Sequence, residues 1–129
     1  MQEPVRVTGM VLEVSPVGET DRRVVLLTKE RGKISAFARG ARKQGSRLMA
    51  ATNPFCFGEF ILYEGRNSYS LSEAVIRNYF EDMRMHIEEA CYGMYFLELM
   101  DYYTRENNDE REMLLILYQS LRALLHAAY

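Results

Sequence analysis

Cysteine is scarce in this sequence. The 129 residues contain only Cys56 and Cys91, and neither has a second cysteine at the CxxC spacing that is typical of a zinc site. We therefore expect no metal site. Both cysteines lie in apolar stretches, which favours buried free thiols in a reducing compartment.

Long apolar runs are also absent. No segment approaches the roughly 18–20 consecutive apolar residues of a membrane span. The polar N-terminus lacks the apolar core of a signal peptide. These two absences predict a cytoplasmic protein that makes no membrane contact.

The sequence lacks the residue groupings of common catalytic sites. Phosphate-binding motifs of the Walker or Rossmann type do not occur. His86 and His126 fall in predicted helices without a partnered nucleophile or metal, which favours a structural role for both. Neighbouring acidic residues such as Glu88 and Glu89 diverge by about 100° on a helix, so they do not converge on a substrate. The sequence thus predicts a protein that is not an enzyme.

Up to about residue 80, the sequence contains a series of β-strand signals. Five stretches with alternating or β-branched character are separated by turn signals; they are Val5–Val14, Arg22–Thr28, Lys33–Arg39, Phe55–Glu64 and Tyr69–Ile76. Tight hairpins are expected at Lys29–Gly32, where Gly32 can take a positive φ, and at Gly65–Ser68. Five strands with two hairpins match a small closed barrel. The long segment between the third and fourth strands favours an OB-fold over an SH3-like barrel.

Helical periodicity replaces the strand pattern after Phe80. The stretch Arg84–Tyr103 has no proline and is apolar on most sides, which predicts a helix buried on more than one face. Asn107 and Glu110 then resemble a capping box ahead of a second helix. The apolar residues of that second helix recur at helical spacing; they are Met113, Leu117, Leu121, Leu124 and Leu125.

Charge divides the chain at the same place. Residues 1–80 contain 12 Lys and Arg against 8 Asp and Glu, whereas residues 81–129 contain 4 against 10. We predict an α+β protein with a five-stranded OB-fold β-barrel that binds nucleic acid at residues 1–80, followed by a partial α-helical segment at 81–129. The opposite net charges suggest different partners for the two parts. The alternative is that the charged residues are distributed by chance over two solvated surfaces. Helical periodicity continues to Tyr129, which suggests that the helical segment is truncated.

The most informative stretch is Lys33–Arg47, KISAFARGARKQGSR, which contains five cations and no acidic residue. The cations are Lys33, Arg39, Arg42, Lys43 and Arg47. A solvated loop more often mixes charges of both signs, so this run favours contact with phosphates.

Strand alternation predicts which side chains of the third strand share a face. Small apolar residues should point into the barrel, and the opposite face should present Lys33, Ser35, Phe37 and Arg39. A ring on that face can stack on bases, although Phe37 fits a core position equally well. Arg22 and Arg23 should point to opposite faces of their strand, so at most one of them joins this surface.

A second hairpin can extend the same surface. Tyr63 and Tyr69 flank this hairpin, and Arg66 lies at its tip. The two tyrosines either add to the binding surface or cap the end of the barrel.

Several blocks of the sequence resemble the RecO family of bacterial DNA-repair and recombination mediators. The matching blocks are the G-x-V-L opening at Gly9–Leu12, Gly18–Asp21, Leu26–Thr28, Gly32-Lys33, the A-x-G-A-R-K-x-x-S-R-L run at Ala38–Leu48, Pro54-Phe55, Leu62–Arg66 and Tyr69–Ala74. The resemblance continues around Tyr92–Asp101, so it covers nearly the whole chain.

The resemblance implies an OB-fold that binds single- and double-stranded DNA, followed by a helical domain. Family members anneal complementary strands, and with RecR they displace single-strand-binding protein so that RecA can load, without a nucleotide cofactor. The implied location is cytoplasmic and nucleoid-associated. By position, the implied DNA contacts are Lys33, Arg39, Arg42, Lys43 and Arg47.

The second half departs from the family pattern. Members often have a four-cysteine zinc module there, whereas this chain has no such cysteines and stops where the helical domain has barely begun. Capture of single-strand-binding protein would need the missing helices, so it is not carried over with the other expectations.

Two hypotheses of different classes follow. The first is a DNA-binding domain without sequence preference, with contacts from Lys33, Phe37, Arg39, Arg42, Lys43, Arg47 and Arg66. The alternative is a protein-interaction module that docks a repair partner such as RecR through the barrel, without direct DNA contact.

Overall fold

The first part of the chain is a closed β-barrel in the computed structural model, which describes residues 3–127. Its strands are β1 (Pro4–Val17), β2 (Asp21–Thr28), β3 (Gly32–Ala38), β4 (Phe57–Glu64) and β5 (Tyr69–Asn78). Around the barrel the order is β1-β2-β3-β5-β4, and β4 pairs back to β1. The β3–β5 pairing is parallel and the other four are antiparallel. The predicted OB-fold barrel followed by helices is confirmed.

The strand β1 closes the barrel because it is long enough to pair on both sides. Its first part, Pro4–Met10, pairs with β4, and its second part, from Gly9 onwards, pairs with β2. Gly9 and Gly58 face each other where the two pairings overlap. A Cβ atom on either glycine would collide with the backbone of the next strand, at Leu27 or Val75. Glycine at these positions therefore allows the close approach that closure needs.

The barrel interior follows the alternation predicted for β3. Ile34, Ala36 and Ala38 are buried, whereas the residues between them are only half-buried. Side chains from all five strands complete this core; among them are Val7, Val11, Val24, Leu26, Phe60, Leu62 and Leu71.

A short helix, α1 (Arg47–Ala51), lies between β3 and β4. Ser46 caps its first turn, because the serine hydroxyl accepts a hydrogen bond from the N–H of Leu48 at 3.1 Å. Arg22 on β2 holds the other end, since its Nη1 donates to the Thr52 hydroxyl at 2.9 Å. The side chain of Arg22 therefore stabilises the position of α1.

Three further helices follow the barrel: α2 (Asp82–Met85), α3 (Ile87–Tyr103) and α4 (Arg111–Ala127). The prediction of one helix from Arg84 to Tyr103 is wrong at its start, because His86 has extended backbone angles (φ −127°, ψ 97°) between α2 and α3. None of the helices in the described part of the chain is long and apolar enough to cross a membrane.

A second apolar core lies between the barrel and the helices. Met10 and Leu27 on the barrel pack with Leu97 of α3 and with Leu117 and Leu121 of α4. Burying these side chains against one another fixes α3 and α4 on the outer surface of β1 and β2.

Much of α3 is exposed. Gly93 and Leu97 are its buried residues, whereas Ile87 is 82% exposed and Tyr95 is 56% exposed. The prediction of burial on more than one face is therefore wrong. One side of α3 packs on the rest of the molecule, and the other presents apolar side chains to solvent.

The two cysteines have different environments. Cys56 is buried, as predicted, and this burial raises the pKa of its thiol. Cys91 is exposed on α3, so the prediction of a buried thiol is wrong at this position.

The connection between α3 and α4 lies against the β2–β3 hairpin. The N–H of Lys33 donates to the Arg105 carbonyl at 3.1 Å, and the N–H of Asn107 donates to the Arg31 carbonyl at 3.0 Å. Gly32 has the predicted positive φ (68°), and a side chain there would collide with the Arg105 carbonyl. The hairpin and the helical segment are thus joined through their backbones.

The predicted capping box ahead of α4 is wrong. Asn107 lies too far from the first helical residue, Arg111, to cap the helix. The Glu110 carboxylate instead accepts a hydrogen bond from the N–H of Arg105 at 2.8 Å. Asn107 and Glu110 thus stabilise the α3–α4 connection rather than the first turn of α4.

Candidate nucleic-acid interface

The outer face of β2 and β3 has a cation and an aromatic ring opposite each other. Arg23 on β2 and Phe37 on β3 are register partners, and Arg23 Nη2 donates to the Ser35 hydroxyl at 3.2 Å. Phe37 is half-buried and belongs to neither apolar core, so its ring is part of the barrel surface. We name this surface the strand face; it consists of Arg23, Lys33, Ser35 and Phe37.

The two neighbouring arginines of β2 point to opposite sides, as strand alternation predicts. Arg22 donates to α1 and to the residues after it, whereas Arg23 is exposed on the strand face. The sequence left open which of the two joins the surface. Arg23 joins the surface, because α1 packs on the side to which Arg22 points.

The segment Arg39–Arg47, named here the basic loop, follows directly after β3. Its four cationic side chains are exposed; they are Arg39, Arg42, Lys43 and Arg47. Contacts with the β1–β2 turn hold the loop in place. The N–H of Arg42 donates to the Thr20 carbonyl, and its guanidinium donates to the Gly18 carbonyl, both at 2.8 Å. The cations are therefore presented on an ordered loop beside the strand face.

One carboxylate lies near the basic loop, although the loop itself contains none. Asp21 Oδ1 accepts a hydrogen bond from the N–H of Gly40 at 2.7 Å. This hydrogen bond is the main cause that lowers the pKa of Asp21, and the charges of Arg39 and Lys43 lower it further. The absence of acidic residues from the loop itself therefore does not mean that its surroundings are free of acid.

The basic loop nevertheless has no close ion pair within residues 3–127. No carboxylate oxygen of that range lies within 4.0 Å of a cationic nitrogen of Arg39, Arg42, Lys43 or Arg47. Its positive charge is therefore available to an anionic ligand.

Lys33 is neutralised by the helical segment. Its Nζ lies 3.1 Å from Asp101 Oδ1 and also donates to the Asp101 carbonyl. The two side chains are 28% and 34% exposed. The stretch Lys33–Arg47 contains no acidic residue, but a distant part of the chain supplies one to Lys33, and the contact of Lys33 with DNA stays a prediction.

Arg66 lies away from the basic loop. In the parallel β3–β5 pairing Tyr69 is opposite Ala36, so the tip of the β4–β5 hairpin lies beside the beginning of β3. The basic loop follows the end of that strand. Lys33 and Phe37 lie on the strand face, and Arg39, Arg42, Lys43 and Arg47 lie on the basic loop after β3, whereas Arg66 lies on the hairpin tip beside the beginning of β3.

The two tyrosines beside this hairpin differ in exposure. Tyr69 is buried, and its hydroxyl accepts a hydrogen bond from Arg31 Nη1 at 3.2 Å. Tyr63 is 37% exposed. Tyr69 therefore caps the barrel, and only Tyr63 is open to a ligand.

A cleft of about 360 Å³ separates the strand face from the helical segment. Both signs of charge line it; the charged residues are Arg23, Lys33, Asp101 and Glu106. A larger open groove of about 890 Å³ lies elsewhere, between the β5–α2 connection and α4. Within the residues described, no group of three His, Cys, Asp or Glu side chains is placed to hold a metal ion.

Comparison with known proteins assigns the chain to a family. Residues 1–80, which contain the barrel and the basic loop, match the family model described as Recombination protein O N terminal. The chain belongs to the RecO family. The resemblance seen in the sequence is thereby confirmed, and the family is one of DNA repair and recombination.

Curated relatives in the RecO family are similar along most of this chain. The DNA repair protein RecO of Alkaliphilus metalliredigens is 32% identical over 120 residues, and that of Bacillus pumilus is 36% identical over 116 residues. The matches cover 93% and 90% of this chain but 49% and 45% of those proteins. The chain thus spans about half the length of the curated relatives it matches.

Proposed function

We propose that this chain binds DNA without sequence preference through the basic loop and the strand face. The basic loop is the observation that supports this proposal most strongly. It presents four exposed cations, and no carboxylate of residues 3–127 lies within 4.0 Å of them. Each phosphate that such a cation contacts releases condensed counterions, which favours binding of any sequence alike.

The strand face would add contacts to bases. Phe37 is the register partner of Arg23 on the neighbouring strand, and the ring and the guanidinium are both planar groups that can stack on a nucleobase. Bases are accessible for stacking only when the strands are separated. We therefore expect stronger binding of single strands, with duplexes held through their phosphates alone.

The cellular role that we propose is that of a recombination mediator in DNA repair. It comprises annealing of complementary strands and, with RecR, loading of RecA on single-stranded DNA covered by single-strand-binding protein. Annealing is consistent with a basic surface, because cations reduce the repulsion between two phosphate backbones. The relatives, which are DNA repair proteins by name, support the repair role.

We also propose how the chain is divided into two parts and where in the cell the protein works. Residues 1–80 act as the DNA-binding domain, and residues 81–129 act as a helical segment. The protein has no catalytic activity of its own and requires no cofactor. It works in the cytoplasm, associated with the nucleoid.

Fluorescence anisotropy of labelled oligonucleotides across a salt series tests the DNA proposal. With three or four phosphates contacted, the slope of log affinity against log salt should be about −2 to −3 for single strands. Oligonucleotides of different sequence should give similar slopes and affinities. A slope near zero, or strong preference for one sequence, would contradict the proposal.

The mixed charge of the cleft beside Lys33 supports a second candidate function. Asp101 and Glu106 face Arg23 and Lys33 across it, and such a surface suits a protein partner better than a polyanion. On this alternative the chain docks a repair partner such as RecR. Two results together would favour the alternative over the first proposal. The chain would capture RecR even after nuclease treatment, and it would show no DNA binding by anisotropy.

A further inference from the structure

The basic loop has a buried residue between its exposed cations. Ala41 belongs to the barrel core, whereas Arg39, Arg42 and Lys43 around it are exposed. The backbone on either side of Ala41 is hydrogen-bonded to the β1–β2 turn and the start of β2. These contacts fix the path of the loop, so they also determine where its cations lie.

Asp21, the first residue of β2, makes the contact on one side of Ala41. Its Oδ1 accepts a hydrogen bond from the N–H of Gly40 at 2.7 Å and another from the Thr20 hydroxyl at 3.1 Å. On the other side, the Thr20 carbonyl accepts a hydrogen bond from the N–H of Arg42 at 2.8 Å. The contact from Asp21 differs from the second because its acceptor is charged, and a charged acceptor makes the stronger hydrogen bond.

A carboxylate at this position opposes the binding of a polyanion. Its charge lies close enough to Arg39 and Lys43 to interact with both, and it repels phosphates that approach them. Charge alone therefore predicts stronger DNA binding when any neutral residue replaces Asp21. The hydrogen bond to Gly40 predicts the opposite for a residue without an acceptor, because a loosened loop must be ordered when DNA binds.

We propose that Asp21 is a positioning residue of the DNA site. Its hydrogen bond to Gly40 keeps the basic loop in the conformation that binds DNA, and this benefit exceeds the repulsion between its charge and the phosphates. The inference rests on the DNA binding proposed above, and it assigns to that site a residue that does not contact the ligand.

Three variants separate the hydrogen bond from the charge. Asp21→Ala removes both, Asp21→Asn keeps a side-chain oxygen that can accept from Gly40, and Asp21→Glu keeps the charge but displaces the carboxylate. In anisotropy titrations with an oligothymidine at low salt, Asp21→Ala should bind about tenfold or more weakly than the original chain. Asp21→Glu should bind about threefold more weakly, and Asp21→Asn should bind at least as tightly as the original chain.

Glu19→Ala is the matched control, because it removes a carboxylate from the same turn. Glu19 is exposed, and within residues 3–127 it has no hydrogen bond to the basic loop. This variant should bind as tightly as the original chain, or up to about threefold more tightly because one repulsive charge is lost.

Hydrogen exchange at the Gly40 amide tests the loop without DNA. This N–H donates to the Asp21 carboxylate, so its protection reports that single contact. By NMR, exchange at Gly40 should be about tenfold or more faster in Asp21→Ala than in the original chain, and Asp21→Asn should keep the protection. The amide of Leu26, in the middle of β2, should stay protected in every variant because the barrel is intact.

Two results would overturn the proposal. One is an Asp21→Ala variant that binds DNA as tightly as the original chain or more tightly. The other is an Asp21→Asn variant that binds as weakly as Asp21→Ala, because the hydrogen-bond acceptor would then not be the cause. If circular dichroism shows that Asp21→Ala does not fold, unchanged affinity of Asp21→Glu overturns the proposal in its place.

Failure of the positioning role is distinguishable from failure of the proposed function. If the original chain itself does not bind the oligothymidine, the proposed DNA binding is wrong, whereas exchange at Gly40 still decides whether Asp21 holds the loop. If the original chain binds and Gly40 is equally protected in Asp21→Ala, only the positioning role is wrong.

Discussion

Lys33 Nζ lies 3.1 Å from Asp101 Oδ1, so a lysine of the barrel's basic surface is neutralised by a residue 68 positions away in the helical segment. This pair sets a limit on the proposed DNA site, because a phosphate can reach Lys33 only in competition with the Asp101 carboxylate. Both side chains are partly exposed, so the pair contributes at most about 1 kcal/mol to stability.

Asp101→Asn should therefore strengthen DNA binding. With the carboxylate gone, Lys33 becomes available to one more phosphate, and the salt slope for single strands should become more negative by about 0.7. Asp109→Asn removes the same charge from an exposed position on the α3–α4 connection and should leave the slope unchanged. An unchanged slope for Asp101→Asn, measured by anisotropy, would mean that Lys33 does not contact DNA.

The cations of the basic loop can be tested with a double variant. Lys43→Ala with Arg47→Ala should make the salt slope less negative by about 1.4, because two phosphate contacts are lost. The melting temperature should stay nearly unchanged, since both side chains are exposed and lack ion pairs within residues 3–127.

The matched control is Arg111→Ala with Arg122→Ala, which removes two exposed cations from α4. It should keep the original slope. Equal effects of the two double variants would show that net charge, rather than the basic loop, drives binding. Arg42 is unsuitable for this test because its guanidinium also holds the Gly18 carbonyl, a contact worth about 0.5–1.5 kcal/mol.

Replacement of Phe37 should separate stacking from charge. Phe37→Leu keeps an apolar side chain but removes the ring, so single-strand affinity should fall by about 1–3 kcal/mol while the salt slope stays the same. Phe37→Tyr keeps a ring and should bind nearly as well as the original chain. If Phe37→Leu instead lowers the melting temperature and leaves affinity intact, the ring is structural.

The pH dependence of stability should include a contribution from Glu59. Its carboxylate accepts hydrogen bonds from Arg77 at 2.8 Å and from Arg6 at 3.4 Å, and these contacts, that with Arg77 first, lower its pKa in the folded chain. A lowered pKa stabilises the fold above the unfolded value of about 4.3. That stabilisation is lost as the pH falls through the folded value.

Urea unfolding between about pH 3 and 7 measures this contribution. Relative to the original chain, Glu59→Gln should be less stable at neutral pH, and the difference should shrink as the pH falls below about 4.3. A difference between the two chains that is constant over the whole range would exclude the ion pair as its cause.

Local pattern was sufficient to predict the barrel and the faces of its strands. A strand has a period of two, so Ile34, Ala36 and Ala38 share one face and Lys33, Ser35 and Phe37 share the other. The same rule separated Arg22 from Arg23. Gly32 and its positive φ were predictable because a tight hairpin requires this conformation.

The charge partners could not be predicted in this way. Asp101 meets Lys33 only because α3 packs across the barrel, and Asp21 meets the basic loop only because the β1–β2 turn lies beside it. Such contacts depend on tertiary packing between distant segments, and no local pattern encodes them. Only the structure identifies Arg23 as a residue of the site, because it shows that Arg22 is hydrogen-bonded to α1 and to the residues after it.

The exposed side of α3 was mispredicted for a related reason. Apolar residues around a helix indicate that several surfaces need partners, but they do not say whether those partners lie within the chain. In this structure the barrel and α4 cover the side that contains Leu97, and Ile87 and Tyr95 face solvent.

The most direct measurement of the central claim is an NMR titration of the ¹⁵N-labelled chain with a short oligothymidine at low salt. We expect the largest backbone amide shifts in the basic loop, Arg39–Arg47, and at Phe37 and its neighbours on the strand face, with little change in α4. Shifts confined to the helical segment, or none at saturating DNA, would contradict the account.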